Sequence, residues 1–128
     1  MKRLTTAQLS PARAKLLSEQ KHICPLCQGS MKAGQKKPAL DHDHQTGYIR
    51  DVLCLNCNQF EGKTFNGARR SKNKLTEIEW LRNLLEYWER HETPQHGGVF
   101  HPTHKTEEEK RLAKNAKARK KRAAIKKV

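Results

Sequence analysis

Long apolar runs are missing from this chain, and with them most of what would build a large core. Only 34% of its residues are hydrophobic and 5% aromatic. No stretch is apolar enough to cross a bilayer. The opening MKRLTTAQLS has no apolar run of the secretory kind, so no signal peptide is expected. Acidic residues are also scarce: 13 Asp and Glu stand against 27 Lys and Arg, a formal net charge of +14. That imbalance points to a polyanionic partner, most often nucleic acid. Cysteine is limited to four residues, and all four fall in Cys-x-x-Cys pairs, Cys24 with Cys27 and Cys54 with Cys57. Without secretion, such pairs read as reduced metal ligands rather than disulfides. At 128 residues the chain is one compact domain plus a tail, small enough to need a metal staple.

What is present is concentrated between Cys24 and Glu61. Each Cys-x-x-Cys places two thiolates on one tight turn, and two turns supply the four sulfurs of a tetrahedral structural Zn²⁺ site. The stretch between the pairs is long enough for a β-hairpin, and it carries Asp41-His42-Asp43-His44. Asn58 follows Cys57 directly, and Glu61 comes one helical turn later. Zinc is therefore expected to weld the base of a hairpin to the start of a helix.

Around this centre the chain reads in order. Ser10 and Pro11 mark a helix start, so residues 10–20 are expected to be a short scaffold helix packed through Ala12, Leu16 and Leu17. Residues 28–37, rich in Gly and Lys, form a loop. Residues 38–44 begin extended after Pro38, residues 45–47 turn, and residues 48–53 return as a strand. A short helix is expected over 58–64, then a basic linker over 65–75. Thr76 with Glu79 makes a capping box for a helix over 76–90. Ile78, Leu81, Leu84, Leu85 and Trp88 form its apolar stripe, and Trp80 and Tyr87 widen it. A helix apolar on more than one side in so small a chain predicts a homodimer interface. Residues 105–128 hold 11 Lys or Arg against three Glu. With few large apolar residues they are expected to be disordered, or a fluctuating helix, until they meet DNA. The expected divisions are 1–64, the N-terminal helix with the zinc unit; 65–104, linker and dimerisation helix; and 105–128, the basic tail.

The run LDHDH…TGYIRDVLCLNCNQFEGK, with EIEWLRNLLEYW and more weakly VFHPTH, resembles the His-Me finger (HNH-like) nucleases. Within them it resembles the phage recombination endonuclease VII family of Holliday-junction resolvases. The resemblance covers most of residues 22–104. It implies a small, mostly helical α+β fold: a zinc-bound ββα-metal unit with flanking helices in an intertwined homodimer. Cys24, Cys27, Cys54 and Cys57 match the family's zinc ligands. Asp41 and Asn58 match its Mg²⁺ ligands, His42 its general base, and His44 and Glu61 further active-site residues. Glu79 matches an acidic residue implicated in cleavage. Ala39 stands where the family often has another His, the hairpin turn is shorter, and the basic tail replaces the family's C-terminal part.

The residue types suit phosphodiester hydrolysis. Mg²⁺ prefers hard oxygen ligands, and Asp41 and Asn58 offer one carboxylate and one amide oxygen; Mn²⁺ substitutes at such sites. Neutral His42 suits proton acceptance from water. On a regular strand, however, His42 points away from Asp41, so the strand must twist or end there. Glu61, three residues after Asn58, shares its side of a helix. Arg50, Lys63, Arg69, Arg70 and Lys72 are candidate DNA contacts. The expected activity is Mg²⁺-dependent cleavage of branched DNA to 5′-phosphate and 3′-hydroxyl ends, in the cytoplasm of an infected bacterial host. The alternative is an HNH-type nicking or homing endonuclease acting on duplex DNA.

Overall fold

The computed structural model describes residues 2–127, a small α+β architecture. It divides into two compact units, Met1–Leu85 and Glu86–Val128. In the first unit, helix α1 (Thr6–Glu19) leads to a two-stranded antiparallel sheet of β1 (Pro38–His42) and β2 (Ile49–Cys54). Helix α2 (Leu55–Ser71) follows β2 without a loop, and helix α3 (Glu77–Arg90) comes next.

Helix α1 starts earlier than Ser10-Pro11 implied. Thr5 and Gln8 supply the cap instead: the Thr5 N–H donates to the Gln8 side-chain oxygen at 2.9 Å. Pro11 then falls inside the helix, where its missing N–H removes one helical bond. The C-terminal end of α1 is tied to the sheet by Gln20. Its amide donates to the Val52 carbonyl and its oxygen accepts from the Val52 N–H, both at 2.7 Å. One side chain thus pairs with β2 as a neighbouring strand would.

The core beneath is small: Cys24, Met31, Val52, Leu53 and Cys54, flanked by Leu16, Leu17, Leu40 and Cys57. Three of these nine are cysteines, so much of the interior is formed by the thiol cluster itself.

Helix α2 corrects the expectation of a short helix over 58–64 and a linker from 65. It begins at Leu55, with Cys54 as its N-cap residue, and runs to Ser71. No proline interrupts residues 55–71, and the buried Ala68 anchors the far end, so Gly62 and Gly67 weaken the helix without ending it. Helix α3 is capped as its sequence implies. The Glu79 N–H donates to the Thr76 hydroxyl at 3.1 Å, and that hydroxyl donates to the Glu79 carboxylate at 3.0 Å. No α3 residue is buried, and Ile78, Leu85, Tyr87 and Trp88 are all exposed.

In the second unit a short 3-10 turn (His96–Gly98) precedes helix α4 (Glu107–Lys126). Of the two states expected for the tail, the structure shows the helix, 20 residues long. The Thr106 hydroxyl caps it by accepting the Glu109 N–H at 3.2 Å. Glu107–Glu109 occupy the positive end of its dipole, and Ala and Lys suit its interior. No helix among the described residues is long and apolar enough to cross a membrane.

Candidate active site and metal centre

The four cysteine sulfurs lie within 4.8 Å of one another. Cys24 and Cys27 come from a turn held by the Cys24 N–H donating to Gly29 and the Gln28 N–H donating to Cys24, with Gln28 at positive φ. Cys54 and Cys57 come from the end of β2 and the first turn of α2. The Cys27 and Cys54 sulfurs stand 3.8 Å apart. Zinc with sulfur ligands at about 2.3 Å has tetrahedral edges of about 3.8 Å, so this quartet fits the ion.

The surroundings favour the thiolate at Cys24 and Cys27 and the thiol at Cys57. The Gly29 N–H, opposed by desolvation and assisted by the other three cysteines, lowers the Cys27 thiol to about 6. Burial works against ionised Cys24, but the N–H groups of Cys27, Cys54 and Leu26 outweigh it and hold that thiol below its usual value. Cys57 is pushed up to about 12, first by its contact with Cys54 and then by burial. Lys36 places its ammonium 3.4 Å from the Cys27 sulfur. A Cβ on Gly29 would meet the Lys36 stem at 2.8 Å, so the glycine makes room for that lysine.

Asp41 lies on β1 and is buried, only 6% exposed. At this position the sheet carries a bulge: Leu40 faces Val52 but His42 faces Ile49, so Arg50 and Asp51 share the place opposite Asp41. Bulges re-aim side chains. Arg50 here donates from Nε to Asp41 Oδ2 at 2.7 Å and from Nη2 to Glu61 Oε2 at 3.1 Å. The hydrogen bond to Asp41, with the charges of both carboxylates, raises the Arg50 pKa further. Helix α2 thereby contributes Glu61 to a site begun on the hairpin.

Strand β1 ends at His42, just past the bulge, so alternation does not continue beyond it. The rings of His42 and His44 pack at 4.7 Å. A cleft of about 220 Å³ opens beside His44, lined also by Arg50, Glu61, Phe65 and Arg69, whereas Asp41, His42 and Asn58 do not line it. Asp43 closes the hairpin, its Oδ1 accepting the N–H groups of Gln45 at 2.7 Å and Thr46 at 3.0 Å. Those two bonds hold its carboxyl below the usual range. Asn58 is half-buried in α2, one turn before Glu61. Lys63, Arg69 and Arg70 are exposed, and Lys72 is half-buried at the end of α2. Glu79 lies on α3, engaged by its cap.

Reading the sequence as a list of DNA-contacting cations missed the Arg50 bridge, because a bulge has no signal in composition. Gln20 and Lys36 were missed as well. Nothing local marks Gln20, whereas a lysine beside a thiolate turn is a signal that could have singled out Lys36.

A hairpin and a helix joined at a four-thiol cluster able to hold a metal ion make a ββα unit, and Arg50 joins a carboxylate from each of its two parts. The chain belongs to the recombination endonuclease VII family, which it matches across residues 2–90. It is also 34% identical, over 64 residues, to the Gene 59 protein of Mycobacterium phage L5. That similarity covers 50% of this chain and 33% of the phage protein, so the chain spans about a third of the relative it matches.

Proposed function

We propose that this protein is a Mg²⁺-dependent endonuclease that cleaves branched DNA, such as four-way junctions, as a homodimer. The observation that carries the reading is the Asp41–Arg50–Glu61 bridge beside the thiol quartet, in a chain of the endonuclease VII family. A buried carboxylate facing a second one across a single cation is a place built for positive charge. Asp41, the Asn58 amide and Glu61 offer the hard oxygens that Mg²⁺ or Mn²⁺ requires. Bound there, the ion supplies Lewis-acid neutralisation of charge on the phosphate.

The chain's own groups do the remaining work. His42, exposed at the end of β1, accepts the proton of the attacking water. His44, packed against it, steadies the scissile phosphate from the cleft wall. Arg50 holds Asp41 and Glu61 in place and offers a guanidinium to phosphate as charge is redistributed. Arg69, Arg70, Lys63 and Lys72 flank α2 as backbone contacts, and Glu79 acts on the DNA from α3. The products are 5′-phosphate and 3′-hydroxyl ends.

Pairing of α3 with a second copy would cover Ile78, Leu85, Tyr87 and Trp88, and two-fold symmetry would present two sites to opposed strands. In this arrangement the hairpin and α2 carry the chemistry, α3 the dimer contact together with Glu79, and residues 105–128 further affinity. The setting is the host cell in which phage DNA recombines.

The test sets a four-way junction against linear duplex of the same sequence, with Mg²⁺. Preferential cutting of the junction supports the proposal. Equal cutting at recurring sequences would instead favour a duplex-nicking or homing endonuclease.

A further inference from the structure

The residues beyond Arg90 lie outside the span matched by the family, yet they carry the densest charge in the chain. In α4 the three glutamates are confined to the first turn, and nine Lys or Arg follow. Lys110 and Arg111 pair with Glu107 and Glu108 at 3.0 and 3.7 Å; the remaining cations have no acidic neighbour in the helix sequence. None of the helix is buried, and its only large aliphatic residues, Leu112 and Ile125, are exposed.

Helical geometry sorts these cations. At 3.6 residues per turn, Lys110, Lys114, Lys117 and Lys121 fall within one arc of about 60°, forming a ridge about 17 Å long. Leu112, Ala116 and Ala123 lie on the far side together with Arg119 and Lys126, so the ridge is set apart by being all lysine and not by an apolar back. We infer that α4 is a sequence-independent duplex-DNA anchor that lays its Lys110–Lys114–Lys117–Lys121 ridge along the phosphate backbone. This rests on the reading of the chain as a DNA enzyme.

The chemistry favours this occupant over others. A helix lying on a membrane needs a broad apolar face, and two scattered aliphatic residues do not make one. Base readout in the major groove relies on bidentate side chains, whereas this ridge is all lysine, a point charge suited to phosphate. Duplex DNA presents one phosphate per strand for about every 3.4 Å of helix axis, so a ridge of about 17 Å runs past several of them. The acidic first turn, Glu107–Glu109, stabilises the helix at its positive end and lies ahead of the ridge.

The experiment measures binding without added Mg²⁺, so its failure is separable from failure of the nuclease reading. The full-length zinc-loaded chain is titrated with linear duplex of about 30 base pairs across about 50–200 mM salt. Two variants of equal charge are compared: K110Q/K114Q/K117Q/K121Q, and R111Q/R119Q/R122Q/K126Q away from the ridge. Circular dichroism verifies that both keep their helix content. Loss of four phosphate contacts makes the salt slope of the ridge variant shallower by about three to four and weakens binding at least about tenfold, while the second variant loses under half as much. Equal losses in both variants would overturn the ridge. No loss in either, or tighter binding to single-stranded RNA or to anionic vesicles, would overturn the duplex anchor.

Discussion

Arg50 Nε sits 2.7 Å from Asp41 Oδ2, and the same guanidinium reaches Glu61 at 3.1 Å. A buried carboxylate on the hairpin is thus satisfied by a cation from the neighbouring strand, which also ties α2 to the sheet. Arg50→Gln removes both pairs. Arg50 is 39% exposed, so water screens part of the loss, and the expected cost is about 1–2 kcal/mol rather than that of a fully buried pair. Thermal unfolding checks this, and added Mg²⁺ should recover more stability in the variant than in the wild type. An unchanged melting temperature would show the bridge to be incidental.

Gln20 offers a second test, away from the proposed chemistry. Gln20→Leu keeps the volume but leaves the Val52 N–H and carbonyl unpaired beside the core. Desolvated backbone groups of this kind cost about 1–3 kcal/mol, which denaturant unfolding would register. Catalysis per folded molecule should be unaffected.

Removing zinc should unfold the first unit. Cys24, Cys54 and Cys57 are part of its small core, and without an ion nothing bonds the four sulfurs of the two Cys-x-x-Cys turns to one another. Chelation should therefore abolish most of the ellipticity contributed by α1 and α2. Retention of the native spectrum in metal-free protein would contradict this. Because the ion binds thiolates, and the Cys27 thiol lies at about 6, zinc affinity should fall more steeply with acid below about that pH.

The hairpin turn should respond to acid in its own range. The Asp43 carboxyl is lowered below 3.8 by the Thr46 and Gln45 N–H groups. Its contribution is complete above the unfolded value and lost as pH falls through the lower folded value. The amide resonances of Gln45 and Thr46 should titrate with a midpoint below 3.8, and Asp43→Ala should remove that transition. A midpoint at or above the ordinary carboxylate value would mean the turn is not held this way.

Much of this arrangement was legible before any coordinates. The two Cys-x-x-Cys pairs with a hairpin between them follow from ligand spacing, and the Thr76–Glu79 cap follows from a four-residue pattern. Helix α1 begins ahead of Ser10-Pro11, the louder signal, because Thr5-Thr6-Ala7-Gln8 is the cap the backbone uses. Helix α2 runs past residue 64 because nothing over 55–71 stops it, and the burial of Ala68 beyond Gly67 has no signal in one dimension. The Arg50 bridge was out of reach for a related reason. A single extra residue in β2 decides where that side chain points, and strand alternation alone gives the wrong answer. In α4 the composition allows disorder or a fluctuating helix, and the Thr106 cap with the charge order along the chain already marks the helical alternative.

The central claim is that the hairpin and α2 assemble a cation-dependent centre that cuts branched DNA, with His42 as its base. Its most direct measurement is the cleavage rate on a four-way junction with Mg²⁺, for the wild type and for His42→Ala matched in zinc content and folding. The account predicts cutting by the wild type only when the cation is present, and a drop of about 10²–10⁴-fold in the variant. Equal rates for the two proteins, or no cutting by zinc-loaded wild type, would contradict it.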